Sequence, residues 1–486
     1  MMTGKEYVES IKKMRPNIYK FGKLIEDVTT NPHTSEHVKS VARSYDYSHN
    51  PDYASIYTCK SALTGKVAHR WTTLMDSMES VRGNSDLKRH QYRQSGTCQG
   101  ATCAGWTGLN ALWSATYAMD KDLGTNYNAR LKKFMIDEVE GKSMALSGAI
   151  TDAKGNRALR PSQQPNKMSN LHLVEKRSNG IVVSGYKVQI CGIAAAHMVI
   201  CVPGSGYGES EKDFCVAFAV PRDAEGLTIV ECRTGMDRRY EEEGWDVPKN
   251  GTITQAWLFF DKVFIPDEHV FMCGEFKYTG KIIGDFAAIY RAAIGACVAG
   301  QGDVMIGAAI SMARANGLSQ KTFQATLNEM AINNELTYTM GIGATALGKQ
   351  DPSGLWVPSP LQAHANKVLV GRVPYDTKVK CIDIAGGISE TDCFPSYADI
   401  QHPSYGKKIL EGLTAGCDGE SRGKMSRLVT WLCNGSGIPG CMHGGGSPDG
   451  AKLVVRAFTK WEDFAKDAQR IMGVPEGAIK EPETKK

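Results

Sequence analysis

The sequence predicts an α+β fold in which a helical region, a β region and a second helical region follow one another along the chain. Two observations predict this order. Apolar residues recur at three- and four-residue steps in the first and last parts of the chain, as in amphipathic helices. Between them lie short runs of β-branched and aromatic residues, separated by Gly, Pro, Asp and Asn, as in strands. The predicted domains are residues 1–145, 146–275 and 276–486.

The N-terminal domain is predicted to contain two long helices. Residues 7–28 and residues 105–123 both place apolar side chains on one helical face. The sequence Lys-Asp-Leu at the end of the second stretch is followed by Gly124, a combination that is typical of a helix C-terminus.

The middle domain is predicted to be an antiparallel β barrel or sandwich, because several strand-like runs follow one another at short intervals. The charged segment 236–246 between two of them is predicted to be a solvated loop. The runs cover residues 180–192, 197–204, 213–221, 226–232 and 252–266.

The C-terminal domain is predicted to be a helical bundle. Residues 286–317 are rich in Ala and Gly and predict a long helix or helix pair that allows close packing against another helix or a flat ligand. The helical period continues in residues 324–347, 361–388 and 423–435.

Composition excludes several classes of protein. The formal net charge is +5 over 486 residues, with acids and bases interspersed, which is too dilute for a nucleic-acid-binding surface. No apolar run reaches the ~20 residues of a membrane helix, and the N-terminus has no apolar leader, so we expect no membrane and a cytoplasmic location. The 14 cysteines lie mostly in apolar segments and are predicted to be buried, reduced thiols.

Several short stretches contain residues suited to chemistry. Residues 150–157 offer a hydroxyl, a carboxylate and backbone donors to a polar ligand, or form an ordinary turn. Gly386 and Gly387 allow a phosphate to approach the backbone, or break a helix. His443 precedes three glycines and is either a proton carrier or a structural residue.

Cys98 and Cys103 lie among small residues in the stretch SGTCQGATCAGW, residues 95–106. Their spacing matches no common short metal or redox motif. Metal ligands, redox thiols and packed core cysteines therefore stay open as interpretations of this pair.

Taken together, these stretches resemble the family of 4-hydroxybutyryl-CoA dehydratase/vinylacetyl-CoA isomerase, which is related to the 4-hydroxyphenylacetate 3-monooxygenases. The resemblance implies an acyl-CoA dehydrogenase-like fold, with a small β domain between two helical domains. It extends over nearly the whole chain and is carried by residues 5–26, 151–157, 174–187, 260–268, 300–309, 383–387 and 442–448.

The resemblance implies a cytoplasmic, homotetrameric flavoprotein of anaerobic metabolism that acts on a small molecule, possibly a CoA thioester. It implies FAD as the cofactor and, in the dehydratases, a [4Fe–4S] cluster held by three cysteines and one histidine. The residues expected to bind FAD are Thr151, Asp152, Lys154, Gly155, Arg157, Cys191, Gly192, Gly386 and Gly387.

The cluster ligands carry over only in part. Cys103 and Cys297 fall on ligand positions, and Cys98 lies one residue from a third, which here is Gln99. Tyr290 stands in place of the histidine, and phenolate is an unusual ligand for iron–sulfur clusters. The expected metal ligands are thus Cys98, Cys103, Cys297 and Tyr290, and the presence of the cluster stays open.

Other positions also depart from the family pattern. Cys191 replaces a threonine near the flavin, and Gln255 and Gly440 replace two glutamates. The residues expected to act in catalysis are Tyr290, Gln255 and His443. The predicted reaction removes water from, or shifts a double bond in, an acyl-CoA or related acid. The alternative is a flavin-dependent oxidoreductase without a cluster, either a hydroxylase or an anaerobic reductase.

Overall fold

The computed structural model describes residues 1–233, 254–391, 393–434 and 444–479. The predicted loop 236–246 and His443 lie outside the described residues. The helices are α1 Gly4–Lys12, α2 Ser35–Tyr47, α3 Ala54–Tyr57, α4 Met78–Ser95, α5 Ala104–Leu123, α6 Tyr127–Phe134, α7 Thr279–Ala315, α8 Gln324–Ala346, α9 Pro360–Val370, α10 Val373–Ala385, α11 Gly387–Thr391, α12 Tyr397–Ile400, α13 Gly406–Leu413, α14 Gly419–Cys433, α15 Pro448–Phe458 and α16 Trp461–Ile471. The strands are β1 Ile18–Lys20, β2 Lys23–Ile25, β3 Thr58–Lys60, β4 Val67–His69, β5 Leu146–Ala149, β6 His172–Arg177, β7 Gly180–Cys191, β8 Met198–Cys201, β9 Val216–Pro221, β10 Leu227–Glu231, β11 Gln255–Pro266, β12 Val270–Cys273, β13 Lys349–Gln350 and β14 Trp356–Val357.

The first predicted helix is wrong beyond α1. Proline lacks the N–H that a helix interior needs, and Pro16 follows the end of α1 by a few residues. The chain then turns through Phe21 and Gly22, which both have positive φ, and forms the antiparallel pair β1–β2. The second prediction is confirmed, since α5 ends at Gly124 in the left-handed conformation.

The five predicted strand runs are confirmed as β7, β8, β9, β10 and β11. They form two sheets, a six-stranded one in the order β2-β1-β10-β11-β7-β6 and a four-stranded one in the order β12-β9-β8-β5. No closed barrel forms among the described strands.

The prediction of an antiparallel middle domain is corrected at β5–β8, and β1, from the N-terminal region, makes a second parallel pair with the middle domain. The pairs β1–β10 and β5–β8 are parallel. In both pairs the two strands are far apart in the sequence. The long connection between them allows a parallel pair, which a short hairpin cannot form. The N-terminal region therefore contributes strands to the large sheet, as well as helices.

The C-terminal region is built around α7, which has 37 residues. α4 approaches it closely at Gly300, where a Cβ atom would lie 2.4 Å from the carbonyl oxygen of Arg89. The segment Phe276–Ala315 is long and apolar enough to cross a membrane, but 72% of its apolar window is buried inside the protein, as in the central helix of a packed core.

The thiols of the described residues are all free, as predicted. Cys201 and Cys215 are fully buried, and Cys433 is 7% exposed. Most of them thus pack as small apolar side chains.

Candidate active site

The loop that carries Cys98 and Cys103 is fixed by close backbone packing. Gly100 has φ +64, and a Cβ atom there would lie 2.8 Å from the backbone of Cys191 and Gly192. Leu146 N–H, at the start of β5, donates to the carbonyl of Ala101 at 2.8 Å. The loop therefore lies against the end of β7, and its cysteines face the junction of the sheets and α7.

His37 holds the same loop from the other side. Its Nε2 lies 2.5 Å from the carbonyl oxygen of Gln99, and its Nδ1 lies 2.9 Å from Oγ1 of Thr254. These partners are satisfied by a neutral ring that donates from Nε2 and accepts at Nδ1. Burial lowers the pKa of His37 to about 4, although the hydrogen bond to the Gln99 carbonyl opposes this shift.

Gln99, which stands at a ligand position of the family, is engaged elsewhere. Its side-chain oxygen accepts from Ser44 Oγ at 2.8 Å, and its Nε2 donates to the carbonyl of Ser40 at 3.0 Å, so the amide is bound to α2. Cys98 instead packs with the apolar cluster that contains Cys297. Its sulfur accepts from the N–H of Gly100 at 3.3 Å.

A buried lysine lies among the predicted metal ligands. Lys88, on α4, is 2% exposed. Its Nζ atom lies 5.4 Å from the centroid of the Tyr290 ring, and its electrostatic neighbours are the sulfur groups of Cys103, Cys297 and Cys98. Burial by itself lowers the pKa of Lys88, but these sulfur groups outweigh it and raise the pKa above its ordinary value.

The thiols around Lys88 are shielded from water. Burial raises the pKa of Cys103 and Cys297, and the Lys88 ammonium opposes both shifts. Burial and the neighbouring Cys98 likewise raise the pKa of Cys191. We expect these groups to be neutral thiols at neutral pH.

Tyr290 forms the wall opposite α4. The Lys88 Nζ atom lies 5.4 Å from the centroid of its ring, and the ring of Phe286 stacks on it at 5.5 Å. A Cβ atom at Gly445 would lie 2.8 Å from the Tyr290 ring, so the glycine loop after His443 packs directly on this residue. Arg291 fixes that loop by donating to the Gly445 carbonyl at 2.7 and 3.0 Å.

Gln255 and Cys191 close the sheet side of the site. They are opposite each other on β11 and β7, and Gln255 Nε2 donates to the Cys191 sulfur at 3.4 Å. Ser147 also donates to the Cys191 carbonyl, at 2.9 Å. The structure thus brings together the predicted residues Cys98, Cys103, Cys191, Gly192, Gln255, Tyr290 and Cys297.

The segment 151–157 runs beside β7, since Val188 N–H donates to the Thr151 carbonyl at 2.9 Å. Asp152 is 3% exposed and forms an ion pair with the buried Lys187 at 2.9 Å, so its carboxylate is engaged within the protein. Lys154 and Gly155 both have positive φ and form a tight turn, after which Arg157 is exposed.

Gly386 lies between α10 and α11, and Gly387 begins α11, in a different part of the fold. Gly386 has φ +85, and a Cβ atom at either glycine would meet nothing within 4 Å. The glycines therefore leave space for a close approach, although the Gly386 N–H itself donates to the Ile382 carbonyl at 2.9 Å. No hydrogen bond within the described ranges joins these glycines to the segment 151–157.

Lys88 is the site residue that sequence reasoning missed. A signal for it exists, because it lies seven residues after Val81 and seven before Ser95, both on the buried face of α4. A lysine on the buried face of a helix is uncommon and marks a position with a specific partner or ligand.

Comparison with known proteins identifies the family. The family model for the 4-hydroxyphenylacetate 3-hydroxylase N-terminal region matches residues 3–272, and that for the C-terminal region matches residues 279–473. The chain belongs to the 4-hydroxyphenylacetate 3-hydroxylase family. This confirms the resemblance seen in the sequence.

Within the 4-hydroxyphenylacetate 3-hydroxylase family, the chain is 33% identical to the 4-hydroxybutyryl-CoA dehydratase/vinylacetyl-CoA-Δ-isomerase of Clostridium aminobutyricum, over 94% of this chain and 96% of that one. A solved oxygen-tolerant archaeal 4-hydroxybutyryl-CoA dehydratase from N. maritimus superimposes with a TM-score of 0.94 at 29% identity, covering 99% of this chain and 97% of that one. The oxygenase component of 4-hydroxyphenylacetate 3-monooxygenase, solved with FAD, has a TM-score of 0.81 at 20% identity over 97% and 98%, which shows the shared fold.

The donor set of this family member does not fit a [4Fe–4S] cluster. Gln99 stands where the resemblance expects a cysteine ligand, and its amide is bound to Ser44 and Ser40 of α2. Tyr290 presents the face of its ring to the Lys88 ammonium. Among the residues that the structure describes, no three His, Cys, Asp or Glu side chains converge to hold a metal ion.

Proposed function

We propose that the protein is an FAD-dependent enzyme that removes water from, or shifts a double bond in, an acyl-CoA or related acid. The observation that carries this proposal is the 33% identity, over 94% of the chain, to a dehydratase/isomerase that acts on CoA thioesters. The substrate differs from 4-hydroxybutyryl-CoA, because Gln255 replaces a glutamate that the family resemblance places in the active site.

Two surfaces of the chain fit FAD. The exposed turn 154–157 offers the Lys154 and Arg157 side chains, and the open space at Gly386 and Gly387 offers a close approach to a phosphate. When bound, FAD supplies an electron acceptor beside the substrate's C–H bond.

The protein's own groups orient the substrate. In this proposal Tyr290 donates a hydrogen bond from its hydroxyl to a substrate oxygen, and Phe286, one turn earlier on α7, and the Gly445 loop hold its ring in place. Gln255 holds the Cys191 thiol, so this side of the pocket is neutral. The apolar residues Ile294, Val298 and Val370 line the wall beside Cys297 and exclude water.

A second candidate is a flavin-dependent oxidoreductase without a cluster, either a hydroxylase or an anaerobic reductase. The misfit between the thiols around Lys88 and an iron–sulfur cluster favours it, since the hydroxylase reaction needs no such cluster. Both halves of the chain also match the hydroxylase family.

Deuterium exchange separates the two candidates. The FAD-loaded protein, purified without oxygen, is incubated in D₂O with vinylacetyl-CoA, 4-hydroxybutyryl-CoA or crotonyl-CoA, and the thioesters are analysed by mass spectrometry. We expect deuterium to enter at least one acyl chain faster than without protein, and Tyr290→Phe to slow this exchange about 10-fold or more.

The opposite result is equally clear. If no thioester exchanges, and the protein with reduced flavin and oxygen hydroxylates 4-hydroxyphenylacetate, the acyl-CoA proposal is wrong and the oxidoreductase candidate takes its place.

The proposed assembly is a cytoplasmic homotetramer. α16 has no buried residue, and it exposes an apolar stripe of Trp461, Phe464 and Ile471, which are 57%, 59% and 74% exposed. Apolar patches of this kind mark protein–protein contacts, which supports association between copies of the chain.

A further inference from the structure

We propose that Lys88 binds the carbonyl or oxyanion oxygen of the substrate and stabilises negative charge on it, in the place where the family resemblance puts a metal cluster. The inference deepens the proposed function and rests on it for the class of ligand, a compound with a carbonyl, enolate or phenolate oxygen. The shared chemistry is a partly or fully anionic oxygen that accepts a hydrogen bond from an ammonium.

Lys88 is buried without a carboxylate partner. It is 2% exposed, its Nζ atom lies over the face of the Tyr290 ring, and no ion pair among the described residues joins it to a carboxylate. By comparison, Lys187, a buried lysine of the β region, is paired with Asp152 at 2.9 Å. A buried lysine without a carboxylate partner leaves most of its hydrogen-bonding capacity for a ligand.

Lys88 also lies close to Tyr290. Its Nζ atom, on α4, is 5.4 Å from the centre of the Tyr290 ring, so the ammonium and the phenol belong to one cluster of side chains. Cys98, packed with Cys297 and Val298, forms the apolar surroundings. An ammonium in such a low-dielectric pocket interacts far more strongly with a developing negative charge than it would in water.

The backbone of α4 next to Lys88 is held rigidly against α7. A Cβ atom at Gly300 would lie 2.4 Å from the Arg89 carbonyl and 2.8 Å from the Tyr92 Cβ atom, so α4 and α7 are in close contact one turn from Lys88. Arg89, the next residue, donates to Asp303 at 2.9 and 3.0 Å and ties α4 to α7. The backbone that carries Lys88 is therefore held in place before a ligand arrives.

The test uses the FAD-loaded protein and two probes, acetoacetyl-CoA and 4-hydroxyphenylacetate, whose binding is measured by isothermal titration calorimetry. We expect Lys88→Met to weaken the probe that the wild type binds by about 10- to 100-fold, the range of a hydrogen bond to a charged group. Lys88→Arg should retain most of the affinity. Flavin content, measured in each variant, reports whether the fold is intact.

Lys378→Met is the matched control. Lys378 is also buried, at 8% exposed, and its Nζ atom also lies 5.4 Å from a tyrosine ring, that of Tyr375, but on α10. Removing this lysine should leave the affinity for both probes unchanged, whereas a general effect of losing a buried lysine would lower it.

The outcomes distinguish the two proposals. Binding of acetoacetyl-CoA that depends on Lys88 supports both. Binding of 4-hydroxyphenylacetate alone, with the same dependence, supports the role of Lys88 and overturns the acyl-CoA substrate. Lys88→Met that binds its probe as tightly as the wild type overturns the role of Lys88. A wild type that binds neither probe overturns both.

Discussion

At the scale of single residues, His37 links the loop of Cys98 and Cys103 to the acid stability of the protein. The neutral ring makes both of its hydrogen bonds, to the Gln99 carbonyl and to Thr254. Its pKa is lowered from 6.5 to about 4, so at intermediate pH the unfolded chain binds a proton that the folded chain does not. The stabilisation is complete above pH 6.5 and is lost as the pH falls towards 4.

This gives a prediction for His37→Gln. Between pH 7 and pH 5, the free energy of unfolding of the wild type should fall by about 2 kcal/mol more than that of the variant. Urea unfolding followed by tryptophan fluorescence at both pH values measures the difference. The control is His402→Gln, an exposed position, which should keep the pH dependence of the wild type. An unchanged pH dependence in His37→Gln would show that the buried His37 does not titrate as described.

Residues differ in how far their roles could be predicted. The interpretation of Cys98, Cys103 and Cys297 as neighbours came from the family resemblance, and the structure brings them around one lysine. Lys88 was not predicted, because most residues of α4 are polar and a lysine there looks like a surface residue. Its neighbours, the cysteines, come from the loop 98–103 and from α7. A contact between segments so distant in sequence is determined by tertiary packing.

At the scale of elements, the contact between α4 and α7 determines where Lys88 and Tyr290 meet. Two glycines of α7 allow a matched test. A Cβ atom at Gly300 would collide with the carbonyl of Arg89, whereas a Cβ atom at Gly307 would meet nothing within 4 Å. Alanine is favoured over glycine by about 0.5–1 kcal/mol in a helix interior when space is available.

Gly307→Ala should therefore raise the stability slightly, and Gly300→Ala should lower it by about 1–3 kcal/mol through overpacking. Thermal unfolding measures both. Gly300→Ala should also weaken binding of the acetoacetyl-CoA probe, because it moves α4 away from α7. Equal stability of the two variants would contradict the close approach at Gly300.

Helices and strands were predictable where the signal lies within their own residues. The β-branched and aromatic run 252–266 and the helix signal that ends at Gly124 gave the correct elements, β11 and α5. The pattern failed for residues 7–28, where a helix-like spacing continued past α1 into two short strands. β1 forms because it pairs with β10, more than 200 residues later in the chain, and no local signal encodes that partner.

At the scale of the whole molecule, the order of helical, β and helical regions was predictable, and the mixed pairing of the two sheets was not. The apolar core joins residues from all three regions, from Tyr7 to Leu355. The site lies where these regions meet, with contributions from α4, β7, β11 and α7. Because these side chains come from distant segments, the sequence identified most of the site residues but not their arrangement.

The proposal for this family member is a flavin site in which the buried Lys88 takes the place of an iron–sulfur cluster. It is tested most directly by purifying the protein without oxygen, supplying iron, sulfide and FAD, and measuring iron and flavin per chain together with the absorption spectrum. We predict flavin bands with about one FAD per chain and no stoichiometric iron. About four irons per chain, with a broad iron–sulfur absorption that persists through gel filtration, would contradict the account.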